Sequence, residues 1–150
     1  MSIFIDTSGF IAVLDMDDAN HTGAAEAWQN ILTSAETLVT TNYVLVETCA
    51  LVQNRLGMAA VKVLQEDIVP VLRIEWIDKT VHHAAMGIML AALRKKLSLV
   101  DCVSFETMRL LGVTTAFTLD RHFKEQGFIC LPAYGNSEDI IRINSEKGTD

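Results

Sequence analysis

The chain has 150 residues, of which 50% are hydrophobic, and a formal net charge of −7. This length predicts one domain that buries most of its apolar surface, and the negative charge argues against a protein that coats nucleic acid through bulk positive charge. The longest apolar stretch, at 84–93, is shorter than the about 20 residues that cross a bilayer.

The start of the chain and its cysteines favour a cytoplasmic protein. Residues 1–10 lack the basic segment and the apolar core of a secretion signal. The three cysteines have no CxxC spacing, and their odd number fits reduced thiols better than a disulfide framework. We therefore expect small buried hydrophobic side chains at Cys49, Cys102 and Cys130.

Short apolar runs alternate with amphipathic stretches, and this pattern predicts strands that alternate with helices. The predicted strands lie at 2–5, 38–40, 71–77, 113–119 and 128–131. The predicted helices lie at 7–14, 24–32, 42–56, 58–68, 79–96, 98–111 and 121–126. Such βα units imply an α/β fold with a mainly parallel sheet that helices cover on both faces.

Boundary signals support these elements. Pro70 stops the fourth helix, and Asp78 is a plausible cap for the fifth. Basic residues at 94–96 would complement the negative end of that helix dipole. The chain becomes polar after Pro132, so we expect a domain at 1–132 and a polar tail at 133–150.

Four acidic residues interrupt segments that otherwise resemble buried structure: Asp6, Glu47, Asp101 and Asp120. An ionised carboxylate in an apolar setting costs several kcal/mol unless it has a partner. Four that converge repel one another, raise one another's pKa and attract a divalent cation. Because hard oxygen ligands suit Mg²⁺ or Mn²⁺, the pattern predicts a site for one of these ions.

Asp6 and Asp120 each follow a predicted strand, the first and the fourth. In parallel sheets, sites form beyond the carboxyl ends of the strands, where the strand order reverses. If these two strands are neighbours across that point, their carboxylates face each other across one crevice. The placement predicts a site without naming its chemistry.

Each acid also has a purely structural interpretation. Asp6 could cap the helix that follows it, and Asp120 could be a turn residue. Glu47 could reach solvent at the edge of its helix or pair with a buried arginine. Ser98 and Asp101 have the spacing of a capping box, although a helix N-terminus also presents N–H groups to a phosphate, so both roles can coexist.

The remaining polar residues give weaker signals. Thr118 projects on the same side of an extended segment as Asp120, so its hydroxyl could bind a carboxylate or a metal-bound water. The basic clusters at 94–96 and 121–124 fit solvated helix ends as well as substrate contacts. The histidines lack ligand spacing and favour structural roles: His21, His82, His83 and His122.

Several motifs follow one another in order along residues 2–132. They are Asp6-Thr7-Ser8 after an apolar strand, Glu47 on the third helix, Leu99-Val100-Asp101-Cys102 at a later helix start, Thr118-Leu119-Asp120-Arg121-His122-Phe123, and the closing Gly127-Phe128 to Leu131-Pro132. This ordered set resembles a PIN-domain nuclease, in particular the VapC-like toxins of toxin–antitoxin pairs. The resemblance implies a single PIN-like domain with a five-stranded sheet of order 3-2-1-4-5. It also implies hydrolysis of single-stranded RNA with Mg²⁺ or Mn²⁺, frequent homodimers and often a co-encoded antitoxin.

The resemblance also implies roles for individual residues. Asp6 and Asp101 would be direct metal ligands, the other two acids would bind directly or through water, and any of the four could act as the base instead. Thr7 and Thr118 would orient waters. The residues that would contact the RNA backbone are Arg121 and Lys124.

Other interpretations stay open from the sequence. A housekeeping RNA-processing nuclease and an inactive interaction module are alternatives within the family, and the presence of all four acids counts against the second. A receiver-type signalling domain would use Asp78 as its phospho-acceptor, but Asp6 lacks the adjacent acid that such a domain needs. A haloacid-dehalogenase phosphatase needs a second aspartate where Ser8 stands.

Overall fold

A computed structural model describes residues 1–132 of the chain. The strands are β1 (Ser2–Ile5), β2 (Thr37–Thr41), β3 (Leu72–Glu75), β4 (Thr115–Phe117) and β5 (Ile129–Leu131). The helices are α1 (Thr7–Leu14), α2 (His21–Thr33), α3 (Asn42–Leu56), α4 (Met58–Val63), α5 (Lys79–Ala92), α6 (Leu99–Leu111) and α7 (Arg121–Glu125). The predicted tail at 133–150 lies outside the described residues.

The strands form one parallel sheet of order β3-β2-β1-β4-β5. The predicted α/β architecture and strand order are therefore confirmed. Strand β1 pairs with β2 on one side and with β4 on the other, so the chain order reverses between β1 and β4. The carboxyl ends of these two central strands meet at the same edge of the sheet.

Aromatic side chains fill the space between the sheet and the helices. Trp28 on α2 meets Phe10 and Phe117 edge to face, with ring centroids 6.3 and 5.9 Å apart. On α7, Phe123 is fully buried and contacts the ring of Phe105 at 4.9 Å. These contacts fix α1 and α7, the two short helices that follow β1 and β4.

Helix α1 lies unusually close to β4. A Cβ atom at Gly9 would lie 2.6 Å from the carbonyl oxygen of Phe117 and 2.5 Å from the Cδ1 of its ring. Only glycine therefore permits this approach. The contact draws the start of α1 against the end of β4, beside Asp6.

The region predicted as one helix at 58–68 has a more complex path. Helix α4 ends at Val63, a π-helical turn occupies Leu64–Ile68, and a 3₁₀ turn follows at Val69–Val71. The N–H of Val69 donates to the carbonyl of Leu64, five residues back. The predicted stop at Pro70 is therefore wrong, since the α-helix already ends at Val63 and Pro70 lies in the first positions of the 3₁₀ turn, where its missing N–H is tolerated.

Helix α5 ends earlier than predicted, and the dipole interpretation of 94–96 is wrong. Leu93 has a left-handed backbone with φ of 52°, which ends the helix after Ala92. Arg94 then forms an ion pair with Glu125 on α7, with the Nη1 and Oε2 atoms 3.0 Å apart. The basic residues thus lie in the connection to α6 and not in the last turn of α5. In the described part of the chain, no helix is long and apolar enough to cross a membrane.

Candidate active site

A cavity of about 320 Å³ opens at the carboxyl ends of β1 and β4. Its wall combines the β1–α1 junction, the start of α6, the β4–α7 connection and one face of α3. All four acids predicted from the sequence line it: Asp6, Glu47, Asp101 and Asp120. The parallel pairing of β1 with β4 places Asp6 and Asp120 at one edge of the sheet.

Asp6 is buried at the junction of β1 and α1, with 4% of its surface exposed. Its Oδ2 atom accepts hydrogen bonds from the hydroxyls of Ser8 and Thr118, both at 3.0 Å. Its backbone N–H donates to the carbonyl of Phe117 on β4. Asp6 precedes α1, but its side chain makes no capping hydrogen bond to that helix. Helix capping therefore does not explain this carboxylate.

Burial raises the pKa of Asp6 from 3.8 to about 7. This value already includes a smaller rise from the nearby charge of Asp101 and the opposing effect of the hydrogen bonds from Ser8, the Thr7 backbone and Thr118, which lower the pKa. Desolvation prevails because the carboxylate has exchanged water for neutral hydroxyl donors. The two acids thus oppose each other's ionisation unless positive charge lies nearby.

Asp101 is the third residue of α6 and is 8% exposed. The predicted capping box is present: Ser98 Oγ accepts from the Asp101 N–H, and Asp101 Oδ2 accepts from the Ser98 N–H. Burial raises the pKa of Asp101, the Ser98 backbone hydrogen bond lowers it, and the charge of Asp120 raises it again. Asp101 therefore serves the helix start while its carboxylate lines the cavity.

Asp120 caps α7 and stands beside a histidine. Its Oδ1 atom accepts a hydrogen bond from the His122 backbone N–H at 2.9 Å. The Nδ1 atom of His122 lies 3.2 Å from Asp120 Oδ1 and 3.7 Å from Asp101 Oδ2. Potential ligand atoms of these three residues all lie within 4.8 Å of one another. The purely structural role expected for His122 therefore does not account for its position, since its imidazole lies beside two of the acids.

Helix α3 supplies the opposite wall. Glu47 is half-buried there, and Leu51 and Arg55 follow it along the same face at intervals of four residues. Beneath them, the hydroxyl of Thr48 donates to Thr7 Oγ1 at 3.3 Å, which joins α3 to α1. Among the described residues that line the cavity, Arg55 is the one basic side chain.

The four acids share the cavity without forming one tight cluster. Within residues 1–132, the group close enough to hold a single ion contains Asp101, Asp120 and His122. Asp6 and Glu47 line the same cavity outside that group. The geometry thus separates one compact candidate ion position from three further carboxylates on the wall, those of Asp6, Glu47 and Asp18.

The supporting residues predicted from the sequence have different surroundings. Thr118 donates to Asp6, and its oxygen accepts the N–H of Asp120, so it joins two acids. Thr7 lines the cavity. The proposed RNA contacts on α7, Arg121 and Lys124, are exposed and are not among the described residues that line the cavity.

Sequence reasoning missed three residues of the site. Ser8 donates to Asp6 and accepts the N–H of Leu119, which ties the β1 and β4 ends together. Arg55 was missed because the sequence does not show which surface α3 faces. Its position eight residues after Glu47 nevertheless places both side chains on one face of the helix. His122 was missed because one neighbouring acid, Asp101, is distant in the chain. The other, Asp120, is two residues away, which is not the spacing of ligands on one helix face.

The fold and site can be compared with known proteins. Residues 3–129 match the family model described as PIN domain. This chain belongs to the PIN-domain family. The match spans every acid of the cavity, and it decides against the receiver-type and phosphatase alternatives. Asp78, the receiver candidate, instead caps α5 by accepting the Val81 N–H.

One curated relative covers nearly the same length. The 23S rRNA-specific endonuclease VapC20 of Mycobacterium tuberculosis is 31% identical over 128 residues, which are 85% of this chain and 95% of the relative, in each of two strains. The crystal structure of M. tuberculosis VapC20, described as a sarcin–ricin loop cleaving toxin, has a TM-score of 0.77 at 29% identity and covers 85% of this chain and 97% of that one.

A second solved structure resembles this chain in fold alone. FitAcB from Neisseria gonorrhoeae has a TM-score of 0.63 at 16% identity, covering 87% of this chain and 97% of that one. The fold of this chain thus resembles that of VapC20 at 29% identity and that of FitAcB at 16% identity.

Proposed function

We propose that this protein is a divalent-metal-dependent endoribonuclease that acts as the toxin of a toxin–antitoxin pair. The observation that carries the proposal is the cavity of a PIN domain lined by Asp6, Glu47, Asp101 and Asp120. Four carboxylates on one cavity are suited to a hard cation and to a phosphodiester substrate. The curated relative VapC20, which bears the name of an endonuclease, supports the same reaction class.

The residues fit a bound Mg²⁺ or Mn²⁺. Burial and Asp101 hold the pKa of Asp6 near 7, so its ionised form needs a compensating charge. Asp101 and Asp120 present oxygens close together, and the buried Nδ1 of His122 has no hydrogen-bond partner among residues 1–132. When bound, such a cation would polarise the scissile phosphate and lower the pKa of an attacking water.

The side chains of the cavity would then orient the catalytic groups, accept a proton and bind the RNA. Ser8 and Thr118 hold the Asp6 carboxylate in one orientation through two hydrogen bonds. This carboxylate, held at the edge of the cavity, is suited to accept a proton from water. Arg55 offers a guanidinium to a backbone phosphate of the RNA. Thr7 lines the cavity and would orient a water.

The substrate we propose is RNA with unpaired nucleotides, such as a loop. The name of VapC20 specifies 23S rRNA, and its structure is described as that of a toxin that cleaves the sarcin–ricin loop. A stem-loop of that sequence is therefore the first substrate to test. The partners we propose are a cognate antitoxin and a second copy of this chain, in the cytoplasm, with the nuclease confined to residues 1–132.

The decisive experiment is RNA cleavage by matched aspartate variants. Wild type should cleave the stem-loop in Mg²⁺ or Mn²⁺ and lose the activity in EDTA. Asp6→Asn and Asp101→Asn should each reduce the rate by at least about 100-fold, because several kcal/mol of charge stabilisation disappear with a metal-site carboxylate. Asp78→Asn is the control, since this exposed residue lies outside the cavity and asparagine also caps helices. Cleavage retained in both cavity variants would refute the proposal.

Growth measurements separate the toxin from a housekeeping nuclease. Induced expression of the wild type in a bacterium should arrest growth, and Asp101→Asn should abolish the arrest. A protein that cleaves RNA in the tube but leaves growth unchanged at equal expression would favour RNA processing. An interaction module without catalytic activity would show neither effect.

A further inference from the structure

His122 lies in an unusual setting beside two acids of the cavity wall. Its Nδ1 atom is buried and has no hydrogen-bond partner in the described part of the chain, although 13% of the side chain is exposed. The two nearest acidic atoms, Asp120 Oδ1 and Asp101 Oδ2, lie 3.2 and 3.7 Å away. A buried polar atom left without a partner costs about 1–3 kcal/mol. The site therefore favours a ligand that this nitrogen can bind.

The spacing of these atoms suits a shared cation. Ligand atoms at neighbouring positions of an octahedral ion with bonds of about 2.1 Å lie about 3 Å apart. The nitrogen-to-oxygen distances of 3.2 and 3.7 Å are close to this spacing, and the three residues meet within 4.8 Å. The position is also partly enclosed, since Asp101 is 8% exposed.

The imidazole is held in place by the fold. Asp120 accepts the backbone N–H of His122, which fixes the first turn of α7. The next residue, Phe123, is fully buried and packs against Phe4 and Phe105. Helix α7 is thus anchored on the core side, and His122 stays beside the two carboxylates. A ligand that is already positioned loses little conformational entropy on binding.

We propose that His122 is a nitrogen ligand of the cation held by Asp101 and Asp120, and that it makes the site prefer Mn²⁺ to Mg²⁺. This inference rests on the proposed function and deepens it. Mg²⁺ is usually bound by carboxylates, phosphates and waters, whereas imidazole nitrogen suits transition metals. Mn²⁺ accepts both oxygen and nitrogen, so a mixed site discriminates in its favour.

Pulsed electron paramagnetic resonance of Mn²⁺ tests direct ligation without using activity. Wild type loaded with one equivalent of Mn²⁺ should show hyperfine coupling to an imidazole ¹⁴N, and His122→Gln should lose it. His83→Gln is the matched control, because His83 is exposed on α5 and outside the cluster. Circular dichroism and thermal melting check that each variant is folded, and His122→Asn provides a second variant of smaller size.

Calorimetric titration tests the metal preference. His122→Gln should weaken Mn²⁺ binding by at least about tenfold, the lower end of the effect found when even an outer partner of a metal ligand is lost. Mg²⁺ binding should change much less, so that the preference of the site for Mn²⁺ over Mg²⁺ decreases. His83→Gln should keep the wild-type ratio.

The failure of this inference differs from the failure of the proposed function. If wild type binds Mn²⁺ and cleaves RNA but the ¹⁴N coupling is absent or persists in His122→Gln, His122 is not a ligand and only the inference is overturned. Unchanged Mn²⁺ affinity in both His122 variants has the same meaning. If wild type neither binds Mn²⁺ or Mg²⁺ nor cleaves RNA, the proposed function itself is overturned.

Discussion

At the scale of single residues, Asp6 shows that the fold buries a carboxylate whose ionised form is unfavourable there. Its pKa is about 7 in the folded chain, against an ordinary value of 3.8, because burial removes water from the carboxylate. Below about pH 4 both the folded and the unfolded chain hold this proton. Between about pH 4 and 7 only the folded chain holds it, so this contribution to stability is lost as the pH rises through that range.

We predict that Asp6→Asn stabilises the metal-free protein at high pH. The uncharged amide removes the desolvation penalty, so the free energy of unfolding in EDTA should exceed that of wild type by about 2 kcal/mol at pH 8. The difference should disappear near pH 4, where wild-type Asp6 is protonated. Urea unfolding at several pH values measures this, with Asp78→Asn as control. A variant that is less stable than wild type at pH 8 would contradict the role of desolvation.

Arg55 allows a prediction about substrate binding. Arg55→Ala should raise KM about fivefold or more and leave kcat nearly unchanged, because a phosphate contact made equally in the ground and transition states affects binding alone. The slope of the logarithm of RNA affinity against the logarithm of salt concentration should also decrease by about one, the contribution of one phosphate contact. Arg121→Ala tests the contact predicted from the sequence on α7. A larger effect from Arg121→Ala than from Arg55→Ala would indicate that the RNA backbone binds along α7 and not along the cavity wall.

The sequence predicted the acids of the cavity better than their neighbours. Asp6, Glu47, Asp101 and Asp120 were identifiable because a carboxylate is conspicuous in an apolar segment. Ser8 and Arg55 are ordinary in their local surroundings, and their importance depends on contacts between segments distant in the chain. His122 has ligand partners on α6 and at the start of α7, a relation that no helical spacing reveals.

At the scale of secondary structure, local signals placed the elements well where capping was explicit. Ser98 and Asp101 form the predicted capping box, and Asp78 caps α5. The end of α5 was wrong because Leu93 adopts a left-handed conformation that leucine rarely takes. The π-helical turn at Leu64–Ile68 was likewise invisible, since its two buried residues are four positions apart, a spacing that an α-helix also produces.

Gly9 provides a prediction about how α1 is positioned. Gly9→Ala should destabilise the protein by about 1–3 kcal/mol, since the new methyl group overlaps the Phe117 carbonyl and ring. Displacement of α1 would also move Asp6, so metal affinity should fall. Gly87→Ala is the matched control in α5, where an added Cβ meets nothing within 4 Å, and it should stabilise the helix by about 1 kcal/mol. Thermal melts of both variants check this, and equal effects would contradict the close packing of α1 on β4.

At the scale of the whole molecule, the sheet order determines where the chemistry gathers. The alternation of strands and helices predicted a parallel sheet, but alternation alone permits several orders. The specific order came from the resemblance to PIN domains, and it is what brings the ends of β1 and β4 together. Carboxylates separated by more than 100 residues, such as Asp6 and Asp120, thereby line one cavity.

This gathering of like charge should make the stability of the whole fold depend on divalent metal. A ligand at about 100 times its dissociation constant stabilises the native state by about 2.7 kcal/mol, which corresponds to a rise in Tm of roughly 5–10 °C for a domain of this size. We expect Mn²⁺ to produce such a rise in wild type and in Asp78→Asn. Asp101→Asn should lose most of it, because the compact ion position loses a charged ligand. An equal rise in Asp101→Asn would mean that the stabilising cation binds elsewhere on this acidic protein, away from the cavity that the sheet order creates.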